Sequence, residues 1–346
     1  MSIAGNAEKI YINEIIRVTY KCNWKCKFCN VIETNNYGEK DVSKKEVIYK
    51  ILSLVKKYTK LQRKRLILSF SGGEPTLNKN LLDYIKLAKS IGVGVVEIQT
   101  NGTKLFKDKE YVQKLIDAGL NEIFLAQHSG NDDINKKLGV YYNIDDFINW
   151  VKYIYDNKIH KKISIYINIV VTKINIFYLN DYIKLLLKIG FIKIISCRRI
   201  NDKRLYKFSF GFVQPNGYAN LNKEEVLLKY TQDEINEIDK IVKLCEKNKI
   251  LPDFHFVCPP LCILNYPEYN LEYERLKKLE NNKINGDVNE PNLRSYEFLW
   301  KEKQKFEECE TCKFNNYCLG FYKNWINFVG EKYVKEKINS FIIKKK

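Results

Sequence analysis

The run Leu66-Ile67-Leu68-Ser69-Phe70-Ser71-Gly72-Gly73-Glu74-Pro75 begins as a strand and breaks into two glycines, an acid and a proline. Its nearly continuous apolar content is what a parallel strand covered on both faces requires, and Gly-Gly lets the following backbone approach a ligand closely. Outward from it the pattern repeats. Strands are expected at 11–18, 65–70, 94–99, 122–127, 164–171 and 191–196, alternating with amphipathic helices at 44–58, 79–90, 110–118, 144–157 and 178–189. Gly92, Gly119, Asn157 and Gly190 stand near the ends of four of these helices, where C-termini prefer them. Strands joined by crossover helices make an α/β fold, here an open, partial (β/α)6 barrel.

After residue 200 the alternation lapses. Pro215-Asn216-Gly217 marks a turn, and 232–247 reads as one helix with Ile235, Ile238, Ile241, Val242 and Cys245 on its buried side. The chain therefore divides into a core at 1–230 and a small cysteine-rich extension at 231–346, whose lysine-rich end is expected to fray. In a barrel of this kind the loops after the strands' C-terminal ends form the active face. Cys22, Cys26 and Cys29 follow the first expected strand, Gly72-Gly73-Glu74-Pro75 the second, Thr100-Asn101-Gly102 the third and His128-Ser129-Gly130 the fourth. Thr172 follows the fifth and Cys197-Arg198-Arg199 the sixth. Three thiolates are one ligand short of closing a four-iron cubane, which leaves one iron open to a substrate. The same spacing serves structural zinc when a fourth ligand comes from elsewhere, and Asn-Gly alone is an ordinary turn dipeptide.

The ordered set narrows these alternatives. The C-x3-C-x2-C triplet with Phe28 before its last cysteine, the Gly-Gly-Glu-Pro after the next strand and Gln99-Thr100-Asn101-Gly102 after the third resemble the radical S-adenosylmethionine (SAM) enzymes. The resemblance implies a [4Fe-4S] cluster on Cys22, Cys26 and Cys29, with the amino and carboxylate groups of SAM on its open iron. Reductive cleavage of SAM would then give methionine and a 5′-deoxyadenosyl radical that abstracts a substrate hydrogen. It also implies that Phe28, Gly72, Gly73, Glu74, Pro75, Thr100, Asn101, Gly102, His128, Ser129, Thr172 and Arg198 surround the cofactor, with the backbone of 72–74 meeting the methionine amino group. Members of the family tend to carry serine where Ala126 stands; here Gln127, His128 and Ser129 supply the polar groups. His128 either titrates or only hydrogen-bonds within the barrel. Arg198 and Arg199 are suited to the SAM carboxylate or a substrate anion. Cys197 is either a core residue or a hydrogen donor to the radical, and Cys245 reads as a small buried apolar group.

A second set, Cys258, Cys262, Cys309, Cys312 and Cys318, resembles the SPASM and shorter twitch extensions of the same family. The resemblance implies one auxiliary [4Fe-4S] cluster on Cys309, Cys312, Cys318 and either Cys258 or Cys262. A full SPASM pattern has a further cysteine where Tyr322 stands. Zinc on four cysteines is the other reading of these spacings.

Composition sets the remaining bounds. A chain of 346 residues, 45% hydrophobic, can bury one large core and a smaller unit. No apolar run approaches the length of a membrane span and the first residues lack a secretory h-region, so a cytoplasmic protein with reduced thiols is expected. The net charge of +18 comes from lysines dispersed among Asn and Ile, a solvated surface more than a nucleic-acid footprint. Such a surface also suits an acidic electron donor such as flavodoxin or ferredoxin. By family habit a ribosomally made peptide leads as substrate, modified through a thioether, a carbon crosslink or an epimerised centre. Small-molecule or cofactor biosynthesis is the alternative, and a non-catalytic iron–sulfur or zinc protein binding nucleic acid a distant third. The expected lack of a leader-binding or cobalamin domain before the barrel weakens the peptide case and disfavours a cobalamin-dependent methylase. The ending Lys344-Lys345-Lys346 in place of Gly-Gly disfavours molybdopterin-precursor cyclase.

Overall fold

The structure, a computed structural model, describes residues 12–30, 41–195, 206–255, 259–264, 266–274, 276–277 and 301–343. A 7-stranded parallel sheet runs in chain order: β1 (Ile12–Thr19), β2 (Leu66–Gly72), β3 (Val95–Thr100), β4 (Glu122–Ala126), β5 (Ser164–Val171), β6 (Tyr206–Phe212) and β7 (Ile250–His255). The helices that cross between them are α1 (Lys44–Lys57), α2 (Leu81–Ser90), α3 (Tyr111–Asp117), α4 (Asp132–Leu138), α5 (Ile144–Asp156), α6 (Leu179–Lys188) and α7 (Gln232–Lys247). The strand order leaves β1 and β7 as edges, so the barrel is partial.

Register separates the two faces. Ile16, Phe70, Ile98, Ile123 and Ile165 lie side by side across five strands and share one core with Val47 and Ile51 of α1 and Phe147 and Trp150 of α5. Burying each such side chain contributes about 1.5–3 kcal/mol. One residue away on the same strands, Ile15, Ser69, Glu97, Glu122 and Ser164 are in register with one another, and Ala126, Asn168, Ser209 and Asp253 continue that face on the later strands. Side chains alternate across a strand, so this set, polar but for Ile15 and Ala126, lines the concave side of the sheet, opposite the helices.

The strand expected at 191–196 does not form. Gly190 turns with φ 73°, and Phe191–Lys193 is a 3-10 turn. Phe191 and Ile194 are both buried, with the Phe191 ring 5.6 Å from that of Phe147. Apolar residues three apart close a helical turn onto the core, and that use won over a strand. The sixth strand is instead Tyr206–Phe212, and Cys197, Arg198 and Arg199 lie outside the described residues.

Helix α7 forms where expected, opened by a capping box between Thr231 and Glu234, with Ile238, Ile241, Val242 and Cys245 buried and Ile235 half-buried. It packs on β7, which pairs with β6. The expected division at residue 230 thus falls inside the sheet. Farther on, β8 (Lys303–Gln304) and β9 (Phe321–Tyr322) form an antiparallel pair, followed by α8 (Lys323–Val329) and α9 (Glu331–Ile343). This unit docks on the loop after β6. Trp325 Nε1 donates to the Leu228 carbonyl (2.8 Å), Asn324 Nδ2 to that of Pro215 (3.0 Å) and Lys337 Nζ to that of Tyr230 (2.7 Å).

Candidate active site

Cys22, Cys26 and Cys29 share the loop after β1, clamped from two sides. On one side the glycine turn presses against it: the N–H of Gly73 donates to the Thr19 carbonyl and that of Glu74 to the Lys21 carbonyl, each at 2.7 Å. Gly72 has φ +136°, and a Cβ there would lie 2.1 Å from the Thr19 oxygen; one on Gly73 would lie 2.1 Å from the Lys21 oxygen. The two glycines are therefore required by contact between loops. An ammonium only donates, so the carbonyls of this turn, and not its N–H groups, are what could meet one. On the other side Lys25 N–H donates to the Gly139 carbonyl (2.8 Å) and Lys27 N–H to that of Leu138 (3.0 Å), the C-cap and the last residue of α4.

Burial pushes the Cys22 thiol up to about 11 and the Cys26 thiol well above its usual range, and the neighbouring thiols add to both shifts. Thiolates so placed need a cation among them, which fits a cluster bound on this loop. Among the described residues no group of three or more His, Cys, Asp and Glu side chains forms a ready single-ion site.

The polar residues signalled by sequence at the strand ends hold one another. Glu74 is buried; its Oε1 accepts from Thr76 N–H (3.0 Å), Thr76 hydroxyl (2.6 Å) and Thr100 hydroxyl (2.7 Å), and its Oε2 from Asn101 N–H (2.7 Å). Burial raises the Glu74 carboxyl and these donors pull it back. Pro75 opens the 3-10 turn Pro75–Leu77, which Glu74 caps, and Gly102 takes φ 77°. Asn101 Nδ2 reaches Asn23 Oδ1 in the cysteine loop (2.7 Å), and Gln127 Nε2 donates to the Asn101 carbonyl (2.7 Å). Beyond β5, Asn175 Oδ1 accepts from the Thr172 N–H (2.8 Å) and hydroxyl (3.0 Å), while its Nδ2 donates to the carbonyls of His128 (2.9 Å) and Val170 (2.8 Å). Ser129 Oγ accepts from Asn131 N–H (3.1 Å), at the start of α4. The loops after β1 to β5 are thereby stitched into one rim.

His128 is 2% exposed, and its Nδ1 accepts the Val170 N–H at 3.1 Å, which leaves the proton on Nε2. Its ring meets Phe28 edge-on at 4.8 Å and Trp24 at 6.1 Å. Burial depresses the imidazole to about 3, so it hydrogen-bonds as a neutral group. The unfolded chain takes up this proton near the ordinary 6.5 and the folded chain resists it down to about 3. Stability from this group is therefore complete above about pH 6.5 and falls with acidification, by about 2 kcal/mol on reaching pH 5. Denaturant unfolding at pH 8 and pH 5 tests this: His128→Asn should narrow the difference between the two pH values by about that amount.

In the extension, Cys262 lies within reach of the charges of Cys318, Cys309 and Cys312. Burial raises the Cys262 thiol strongly, with Cys318, Cys309 and Cys312 each contributing through their charge, and pushes Cys318 up to about 11. Cys258 lies outside the described residues.

Several residues went unread in the sequence. Asp41 accepts from Thr19 hydroxyl (2.8 Å) and Tyr20 N–H (2.9 Å) at the base of the cysteine loop. Asn175 had a local signal, Thr-x-x-Asn at a strand end, a pairing that closes side-chain turns. On the concave face Ser69 donates to Glu97, and Lys207 pairs with Asp253 at 2.5 Å. Their signal was polar residues interrupting apolar strands at every second position.

Known proteins resemble this chain in sequence and in fold. A probable GTP 3′,8-cyclase of Saccharolobus solfataricus is 25% identical over 241 residues, 70% of this chain and 68% of the relative. The crystal structure of Streptococcus suis SuiB bound to S-adenosylmethionine superposes with a TM-score of 0.58 and 18% identity, covering 92% of this chain and 75% of that one. Native anSMEcpe with bound AdoMet gives 0.56 and 14% identity, covering 95% of this chain and 96% of that one. Residues 16–186 match the model of the radical SAM superfamily, the span from β1 through most of α6 that carries the thiol loop, the glycine turn and the stitched rim. Residues 16–186 are thus a radical SAM domain, and the chain is a radical SAM enzyme with a [4Fe-4S] cluster and SAM as cofactors.

Proposed function

We propose that this enzyme modifies a ribosomally made peptide, through a thioether, a carbon crosslink or an epimerised centre. The observation that carries the reading is the charge of the concave face: Glu97, Glu122 and Asp253 stand there against Arg17 and Lys207. Peptide amides and basic side chains suit such a surface, whereas a nucleoside triphosphate brings negative charge to it. The competing reading, a small-molecule enzyme of cofactor biosynthesis, is favoured by the name of the Saccharolobus relative.

On this reading Cys22, Cys26 and Cys29 hold the cluster that binds SAM. Phe28, Gly72, Gly73, Pro75, Gly102, His128, Ser129 and Arg198 border the cofactor, and Glu74, Thr100, Asn101 and Thr172 keep the rim in shape around it. The bound pair supplies a 5′-deoxyadenosyl radical; the protein orients SAM and excludes water. Cys262, Cys309, Cys312 and Cys318 hold one auxiliary [4Fe-4S] cluster, in an extension drawn from residue 259 onward because α7 and β7 complete the sheet. Flavodoxin or ferredoxin delivers the electron, and the chain works in the cytoplasm; among the described residues no helix is long and apolar enough to cross a membrane.

The test uses dithionite-reduced enzyme, SAM, and either deuterated forms of any short peptides encoded beside this chain's gene or deuterated GTP. Deuterium in 5′-deoxyadenosine from the peptide alone is the expected outcome. Label from GTP alone would overturn the peptide reading in favour of the second.

A further inference from the structure

Behind the second thiol set lies a buried pair of opposite charges. Lys303 Nζ stands 2.5 Å from Glu272 Oε2, with the two side chains 1% and 8% exposed. The ammonium also lies 4.9 Å from the centre of the Tyr322 ring, at the position where the fuller cysteine pattern would continue. Glu272 Oε1 accepts the N–H of Leu319 at 3.4 Å, and the next N–H, that of Gly320, donates to Cys318 Sγ at 3.3 Å. The carboxylate is thus fixed to the backbone beside Cys318. The β8–β9 pair fixes the ammonium, since Lys303 is in register with Tyr322.

A buried ion pair is weak evidence of a stabilising role, because the cost of desolvating two charges offsets much of their attraction. Apolar residues of similar volume would hold these segments together as well. Placement beside a thiol ligand suggests a different use: fixed charges in a poorly hydrated site act strongly on a neighbouring metal centre. Taking up an electron adds negative charge to the centre, which an ammonium favours and a carboxylate opposes. Lys305 is a further cation nearby, but it is exposed and bonded to Asn315.

We propose that the Lys303–Glu272 pair sets the reduction potential of the auxiliary cluster, the carboxylate lowering it and the ammonium raising it. The inference rests on the reading of Cys262, Cys309, Cys312 and Cys318 as a cluster site. Its test is a mediator titration followed by electron paramagnetic resonance, in full-length protein carrying Cys22→Ala, Cys26→Ala and Cys29→Ala so that only this centre is seen. Glu272→Gln should move the midpoint to more positive values and Lys303→Met to more negative ones. The double variant Glu272→Gln/Lys303→Met should return close to the parent, and Lys303→Arg should stay there. Should Lys303→Met fail to fold, Glu272→Gln and the double variant still carry the sign and the cancellation. Midpoints that stay put, or that move the same way in both single variants, with iron content intact, overturn the role of the pair alone. A parent without iron overturns the cluster reading and this inference with it.

Discussion

A chain carrying Cys22→Ala, Cys26→Ala and Cys29→Ala together produces no 5′-deoxyadenosine from SAM under dithionite, and after anaerobic reconstitution it keeps about half the iron of the parent, roughly four atoms where the parent holds about eight. The two losses separate because the two thiol sets sit in different parts of the molecule. One is on the loop after β1, clamped by the glycine turn and by Leu138 and Gly139; the other gathers Cys262 with Cys309, Cys312 and Cys318 around the β8–β9 pair. Iron assay and product chromatography on the same samples check both halves. Loss of all iron would mean no auxiliary cluster, and surviving SAM cleavage would mean that the N-terminal thiols do not hold the reactive one. Cys258→Ala should keep the parent's iron, since Cys262 stands among the other three thiols.

Glu74→Ala should be the most damaging single change on the rim. It strips an acceptor from Thr76 N–H, Thr76 hydroxyl, Thr100 hydroxyl and Asn101 N–H, all in a buried setting. Each buried donor left without a partner costs about 1–3 kcal/mol, and partial relaxation brings the expected total to about 4 kcal/mol. Glu74→Gln keeps one oxygen but can set an amide NH2 against the Asn101 N–H, for about 2 kcal/mol and weaker SAM binding. Denaturant unfolding and calorimetric titration with SAM measure the two effects. An alanine variant as stable as the parent would show that the contacts around Glu74 do not hold the rim.

The first five strands were legible because each is rich in β-branched and apolar residues and ends at a glycine or polar turn, and because the loops carrying chemistry all fell on one side of them. β6 and β7 were not. Tyr206–Phe212 alternates aromatic residues with Lys, Ser and Gly, and Ile250–His255 contains Pro252, which an edge strand tolerates and a central one does not. The run 191–196 offered a more apolar but false strand. Within the site, residue types were readable and partners were not: Thr100, Asn101 and Thr172 stood out for the cofactor, yet their polar atoms meet Glu74, Asn23 and Asn175, contacts set by tertiary packing. Glu97 and Glu122 are 25 positions apart and only the register of β3 on β4 makes them neighbours.

The most direct test is anaerobic reconstitution of the full chain with iron and sulfide, followed by dithionite and SAM. The account predicts visible iron–sulfur charge-transfer absorbance and the formation of 5′-deoxyadenosine and methionine in equal amounts. Reconstituted, reduced protein that leaves SAM intact would contradict it.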